Sequence, residues 1–445
     1  MKNTIIKLAI IKSIIILIVL IVQTSNSNAQ GIGSDTIIKR IETSETLQHQ
    51  FTGFVLYDPE LDSMICEYNS AKYFTPASNT KLFSFFSGLM ILGDSLPALK
   101  YIIKGDSLIF SGTADPSFLN LDIEKESRTY DFLKQRKEKL FYSQSIEKKH
   151  FGTGWAWDDY NDYYSAEKAL FPIYGNIIRF SRNHKDAELE VQPKFFAESV
   201  NEDTTLVEDL PPIRRELCEN KFTYYTKARK SKFERDVPFK YSKELMLELL
   251  SDTLNKKVSV YNNYIDFTNA KILYSMPSDT LYKRMMQVSD NFMAEHILLM
   301  CSFLKFDALS TNMTIDYVKD SLLNDLPDEP IWVDGSGLSR YNLFTPRTMV
   351  ALLKKINNNI PDKRLFKMLA AGGESGTIKN WYKANKPYIY AKTGTLSNNH
   401  CLSGFLFTHS GKKLIFTFMN NHYITKSSVI KKEMEKILWE IHAQY

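Results

Sequence analysis

The chain has 445 residues, 44% hydrophobic, 13% aromatic and 24% charged, with a formal charge of +5. That supplies enough apolar material for a sizeable core in two or three domains, and it excludes wholesale disorder. The small net charge gives no footprint for nucleic acid. Cys66, Cys218, Cys301 and Cys401 lack CxxC spacing and the eight histidines lack HxH or HExxH, which argues against a zinc enzyme and against a dense disulfide scaffold.

Residues 1–29 read as a secretory leader. Lys2, Lys7 and Lys12 sit in or beside the apolar stretch, no acid precedes Asp35, and Ile14 to Val22 is wholly apolar. Ser27-Asn28-Ala29 then offers small residues at a cleavage site. A retained anchor is the alternative, but the unbroken run is short against the ~20 residues of a bilayer span. An exported protein of the periplasm or cell envelope is expected.

Phe51 to Asp58 reads as a strand, with Ser63 to Tyr68 as its hairpin partner. After Thr75-Pro76-Ala77 the run Leu82 to Met90 reads as a buried helix, with Pro76 suited to its first turn. The middle differs in texture. Glu124 to His150 and Asn201 to Asp236 are charge-rich and are expected as solvated faces or loops. The aromatic segment Gly154-Trp155-Ala156-Trp157-Asp158-Asp159-Tyr160, continuing to Tyr163-Tyr164-Ser165-Ala166, is expected as core or inter-domain packing rather than a ligand cage. Near the other end, Leu402–Thr408 and Lys413–Met419 form β-rich runs around a His409-Ser410-Gly411-Lys412 turn. A helix from about Lys426 to Ala443 carries Val429, Ile430, Met434, Ile437, Leu438 and Ile441 on one face. Strands at both ends predict one sheet closed by the two termini, with the middle inserted between them.

Three short motifs carry chemistry. Ser78-Asn79-Thr80-Lys81 opens the first apolar helix, and residues three apart on a helix share a face, so the Lys81 amine can reach the Ser78 hydroxyl. Serine is a weak nucleophile until a neighbouring base takes its proton, and lysine can be that base when desolvation and nearby positive charge lower its pKa. Ser-x-x-Lys recurs at Ser145, Ser165, Ser302 and Ser410, so spacing alone does not single out Ser78; its position at the mouth of an apolar helix does. Ser289-Asp290-Asn291 opens a second apolar helix. There the hydroxyl can relay a proton and the amide can hold a carbonyl and the lysine, against the plainer reading of Ser289 or Asp290 as a helix cap. Lys392-Thr393-Gly394-Thr395 follows Tyr388-Ile389-Tyr390-Ala391 and reads as an edge strand. Lys392 would supply positive charge for a substrate carboxylate and lower the pKa of Lys81. Thr393 and Thr395 would offer hydroxyls, and Gly394 would let substrate approach the backbone. Lys-[Ser/Thr]-Gly occurs once, where chance would supply about a tenth of an occurrence. No Gly-rich phosphate loop is present, so neither a cofactor nor a metal is expected.

In this order the three motifs resemble those of penicillin-binding proteins and class A β-lactamases. The chain past residue 29 resembles the D-alanyl-D-alanine carboxypeptidase/endopeptidase family of low-molecular-mass class C penicillin-binding proteins. Asp334-Gly335-Ser336-Gly337-Leu338-Ser339 is similar to that family's Asp-Gly-Ser-Gly-Leu-Ser segment near the active site, and Ala371-Gly372-Gly373-Glu374-Ser375-Gly376-Thr377 to its small-residue stretch before the Lys-Thr-Gly strand. Gly112-Thr113-Ala114-Asp115-Pro116 departs from a family Gly-Gly-Asp-Pro turn. More than 200 residues between Ser78 and Ser289 separate this pattern from small β-lactamases, and neither Glu329 nor Glu374 sits in a Glu-x-x-x-Asn setting that a class A β-lactamase uses for deacylation.

The resemblance implies an α/β (α+β) architecture: a penicillin-binding/β-lactamase-like transpeptidase domain with an antiparallel sheet flanked by helices, over residues 30–98 and 268–445, and inserted mixed α/β domains over 99–267. It implies Ser78, Lys81, Ser289, Asn291 and Lys392 as catalytic residues and Thr393, Gly394 and Thr395 as substrate-binding. The partners would be peptidoglycan peptides, with β-lactam antibiotics as covalent inhibitors. The alternatives are a non-catalytic wall-binding protein on the same fold, and a β-lactamase or esterase.

Overall fold

The computed structural model describes residues 33–123, 127–143, 150–184, 187–205, 211–227 and 232–445, and the expected leader lies outside them. The elements that build the site are, in chain order, α1 (Ser34–Glu42), β1 (Phe51–Asp58), β2 (Ser63–Tyr68), α2 (Lys81–Ile91), α3 (Asn291–Phe306), α4 (Pro346–Asn359), β3 (Ile389–Leu396), β4 (Asn399–Phe407), β5 (Lys413–Asn421) and α5 (Ser427–Gln444). The strands join a short Ala370–Ala371 strand in a six-stranded sheet whose spatial order is Ala370–Ala371, β3, β4, β5, β1, β2. Every pairing in it is antiparallel, and Phe54 of β1 lies opposite Phe418 of β5. The two ends of the chain therefore share one sheet, and β3 sits next to its edge, covered beyond Ala391 by no further strand of that sheet among the described residues.

Apolar residues on both sheet faces explain why β4 and β5 read as near-continuous hydrophobic runs. On one face, α1 and α5 bury Ile37, Ile41, Ile430, Met434, Ile437, Leu438 and Ile441 against β1, β4 and β5. Val429, expected on that apolar stripe, is instead 43% exposed, at the solvent end of the first turn. On the other face, α2, α3 and α4 form the largest core, with Phe83, Met293, Leu298, Met349 and Leu353 fully buried. Helices α2 and α3 are apolar nearly all round because they are enclosed on all sides. Phe83 sits at the centre of an aromatic cluster, 4.4 Å from Phe344 and 5.2 Å from Trp332 by ring centroids.

The middle of the chain forms three smaller sheets and a separate apolar core around Phe110, Phe171, Phe180 and Phe222. The five-stranded one includes Ser95–Lys104, which runs through residue 98, paired with Lys271–Pro277. Ser95 faces Pro277, so the chain leaves the α2 region and returns toward α3 side by side. This pairing is how more than 200 residues can intervene while Ser78 and Ser289 stay in one cleft.

Removing the ring of Phe83 would leave a void among Trp332, Phe344 and the α2–α3 contact. Phe83→Ala is expected to destabilise the fold by about 3–5 kcal/mol, read from the shift in denaturation midpoint.

Candidate active site

The chain enters α2 through a tight turn over Ala77–Thr80 rather than a regular α-helical first turn. Ala77 has φ +48, a left-handed conformation unusual for a residue with a Cβ. It is held there by packing, since Gly337, itself at φ +82, lies so close that a Cβ on it would fall 2.0 Å from the Ala77 carbonyl oxygen. Ser289 is likewise at φ +66, immediately before α3. Strained backbone thus flanks the nucleophile motif and occupies the second motif itself, where the surrounding structure must over-determine it.

The turn places Ser78 at the floor of a cleft of about 950 Å³. The fully buried Lys81 amine lies beneath that floor, 2.8 Å from Ser78 Oγ. Its other contacts go to the Asn291 Oδ1 and the Ser336 carbonyl oxygen, both at 2.6 Å. Asn291 is fixed in this orientation because its Nδ2 donates to the Tyr164 carbonyl at 2.9 Å. Both oxygens can only accept. A neutral amine spends its two N–H groups on them, and its lone pair is left facing the Ser78 hydroxyl.

Lys392 is equally buried. Its amine donates to Ser289 Oγ at 2.9 Å and to the Thr393 carbonyl at 2.6 Å. Asn79, the second residue of the first motif, ties that motif to the third: its Nδ2 donates to the Lys392 carbonyl at 2.9 Å and its Oδ1 accepts from Ser403 Oγ at 2.5 Å. Thr393 and Thr395 line the cleft, Thr393 sharing a hydrogen bond with Thr377 and Thr395 with His400 Nδ1. Burial drives the His400 pKa down to about 3, so the ring is neutral. Gly394 lies flat against the nucleophile turn, where a Cβ would sit 2.3 Å from the Pro76 carbonyl oxygen. All eight residues singled out in the sequence thus lie in or directly beneath one cleft. Asp290 caps α3 by accepting from the Met293 N–H, so the plainer reading of the second motif also holds, with the cap and the cleft groups on adjacent residues.

Burial lowers both lysine pKa values. For Lys81 it outweighs the pull of the carboxylates of Asp334, Asp290 and Glu295 and brings the pKa down to about 8. For Lys392 burial and then the Lys81 charge push it well below the usual range. Repulsion between two amines acts on both partners equally. Of the two causes expected for Lys81, desolvation and nearby positive charge, desolvation is the leading one, and the nearby carboxylates favour keeping a shared charge on Lys81.

Sequence reasoning missed several parts of this site. Asn79, Ser336 and Thr377 lie within segments that the sequence singles out but carry no expected role there, and His400 lies in none of them. The aromatic segment expected as packing also contributes walls: Ala156, Asp158, Asp159, Tyr163 and Tyr164 line the cleft together with Arg340 and Leu338, while Trp155 donates to Asp334 at 2.9 Å. Among the described residues, no group of three or more His, Cys, Asp or Glu side chains is arranged to hold a metal ion.

The model of the D-Ala-D-Ala carboxypeptidase 3 (S13) family matches residues 34–442. The chain is 31% identical over 158 residues to D-alanyl-D-alanine carboxypeptidase DacB of Haemophilus influenzae, and 28% identical over 162 residues to carboxypeptidase DacB of Mycolicibacterium smegmatis. Those stretches cover 34% and 33% of this chain, and only 33% and 34% of the two relatives. In three dimensions it resembles penicillin binding protein 4 of H. influenzae, with a TM-score of 0.71 and 20% identity over 92% of this chain and 98% of that one; a second structure of that protein, complexed with a β-lactam, gives 0.70.

Adding a methyl group at Gly394 would push β3 off the Pro76–Asn79 turn. Gly394→Ala is expected to destabilise the protein by about 1–3 kcal/mol in equilibrium denaturation.

Proposed function

We propose, for a chain that belongs to the D-Ala-D-Ala carboxypeptidase 3 (S13) family, a serine-type D-Ala-D-Ala carboxypeptidase/endopeptidase reaction on peptidoglycan stem peptides, carried by a Ser78 acyl-enzyme. The observation that carries this reading is the Lys81 amine, 2.8 Å from Ser78 Oγ with its other two directions filled by fixed carbonyl oxygens. Lys81 takes the Ser78 proton as Oγ attacks the carbonyl of the penultimate D-alanine. Backbone N–H groups of Ser78 and Thr395 receive the oxyanion. The C–N bond then breaks, and the proton reaches the leaving amine through the Ser289 hydroxyl. Asn291 orients the acyl side. Lys81 then takes a proton from the attacking water and passes it to Ser78 Oγ as the ester C–O bond breaks, which restores the serine hydroxyl and the neutral amine.

The terminal carboxylate of the substrate docks on Thr393 and Thr395, with Gly394 keeping the strand open and Lys392 behind them. A carboxylate arriving there brings the counter-charge that burial withholds from Lys392. Its binding therefore favours a charge on Lys392 and, by repulsion, a neutral Lys81. A β-lactam presents a carboxylate and a strained amide in the same positions, so it acylates Ser78 and is released slowly. We further propose that the protein is exported and works in the periplasm or cell envelope, in keeping with the basic, apolar character of residues 1–29.

Fluorescent penicillin should label the purified protein covalently and leave Ser78→Ala unlabelled. Absence of label on the folded wild type would remove the reading, and rapid turnover of penicillin without trapping would turn it toward a β-lactamase. The pH dependence carries a sign. Acylation needs neutral Lys81, so kcat/KM for a D-Ala-D-Ala peptide should fall as pH drops below about 8, approaching ~10-fold per pH unit on the acid limb. A profile flat from pH 6 to 9 would contradict the assignment of Lys81 as base.

A further inference from the structure

Helix α3 brings a second residue to this site, one turn beyond Asn291. Glu295 is 1% exposed and four positions along, on the same face. Its Oε1 accepts from the Ser336 N–H at 2.8 Å, and its Oε2 faces the ammonium of Lys168 at 3.6 Å. Burying a carboxylate this deeply is costly, which marks it as a group with a task or a partner that compensates. Nothing in the proposed reaction uses it.

The geometry points to Glu295 as a positioning residue for the general base, acting through the backbone of the Asp334–Gly337 turn. Two successive peptide groups of that turn are each pinned at both ends. The first has its Gly335 carbonyl held by Ser84 Oγ at 2.6 Å and its Ser336 N–H held by Glu295. The second has its Gly337 N–H held by Asp334 Oδ1 at 2.8 Å, and its Ser336 carbonyl is the acceptor that meets Lys81 at 2.6 Å. The turn also lies flat on α3, where a Cβ on Gly335 would fall 2.6 Å from the Ala294 carbonyl oxygen. Losing the Glu295 anchor frees the first peptide group to rotate, and the Ser336 carbonyl turns with it. The Lys81 amine then loses one of the two acceptors that aim its lone pair at Ser78.

Lys168 gives this anchor a link to the middle of the chain. It arrives beside Ala169, whose N–H donates to His296 Nε2 at 3.3 Å. Burial lowers the His296 pKa to about 4, so the ring is neutral, with Nδ1–H directed to the Phe292 carbonyl and Nε2 left to accept. The segment that walls the cleft through Tyr163 and Tyr164 is therefore fastened to α3 beside the anchor of the base.

The inference rests on the Ser78–Lys81 reading, and the test separates the two. Stopped-flow acylation by a reporter penicillin resolves the affinity of the first encounter from the rate constant of the covalent step. Glu295→Ala should slow the covalent step about 100-fold, the loss expected for a displacement of order 1 Å at a reacting group, while the encounter affinity stays within about 3-fold, because no binding group is removed. Glu295→Gln keeps a carbonyl oxygen for the Ser336 N–H and should restore the covalent step to within about 10-fold of wild type. Rates are taken per folded molecule, from a burst titrated against far-UV and near-UV circular dichroism. A wild-type covalent rate in folded Glu295→Ala would overturn the inference and leave the function intact, as would an equal loss in Glu295→Gln and Glu295→Ala. No acylation of the wild type would instead strike the underlying reaction.

Discussion

The site depends on keeping one lysine amine out of water and hydrogen-bonded to neutral oxygens rather than to the carboxylates that lie around it. Lys81 is buried at the start of an apolar helix, with its hydrogen bonds going to a hydroxyl, an amide oxygen and a backbone carbonyl. Each partner comes from a different part of the chain: Ser78 from the turn before α2, Asn291 from α3 and Ser336 from the turn near residue 335. The convergence of the sheet, the two central helices and that turn is what holds the three around one nitrogen. An ion pair in the same place would fix the proton on the lysine and leave the serine without a base.

The second amine is held by the same means. Lys392 hangs from β3, next to the sheet edge, faces neutral oxygens, and is pushed from its charged state by burial and by Lys81. Two such groups share protons as a unit. In the proposed reaction, a substrate carboxylate rebalances that unit, placing the charge where it binds and the free lone pair where it reacts. Affinity and base strength are then linked through the same pair of side chains, which favours peptides ending in a free carboxylate over those that lack one.

Much of this was legible in the sequence, and the parts that were not share a physical reason. Ser78, Lys81, Ser289, Asn291 and Lys392 announce themselves through side-chain chemistry at fixed spacing beside apolar runs. The strands Phe51–Asp58 and Ser63–Tyr68 and the terminal helix follow from periodicity, and their meeting in one sheet follows from strands lying at both ends of the chain. The Ser336 carbonyl has no such signature, because any residue supplies a backbone oxygen. Gly335 and Gly337 hint at the close approach but not at its partner. Glu295 carries no motif, and its spacing of four from Asn291 is the one signal that it shares that residue's helix face. The aromatic content of the segment from Gly154 to Ala166 predicts packing. Trp155 does pack, but Asp159, Tyr163 and Tyr164 line the cleft, and one-dimensional composition does not separate the two faces of an irregular segment.

The pKa of the Lys81 side chain tests the central claim most directly. With lysine labelled at Cε, the Lys81 resonance can be assigned by its absence from Lys81→Met and followed by carbon-13 NMR across the alkaline range. The account predicts a titration displaced well below the ordinary lysine range, near pH 8, coupled to a second buried amine that disappears in Lys392→Met. A Lys81 amine that keeps its proton up to pH 10 or beyond would contradict it.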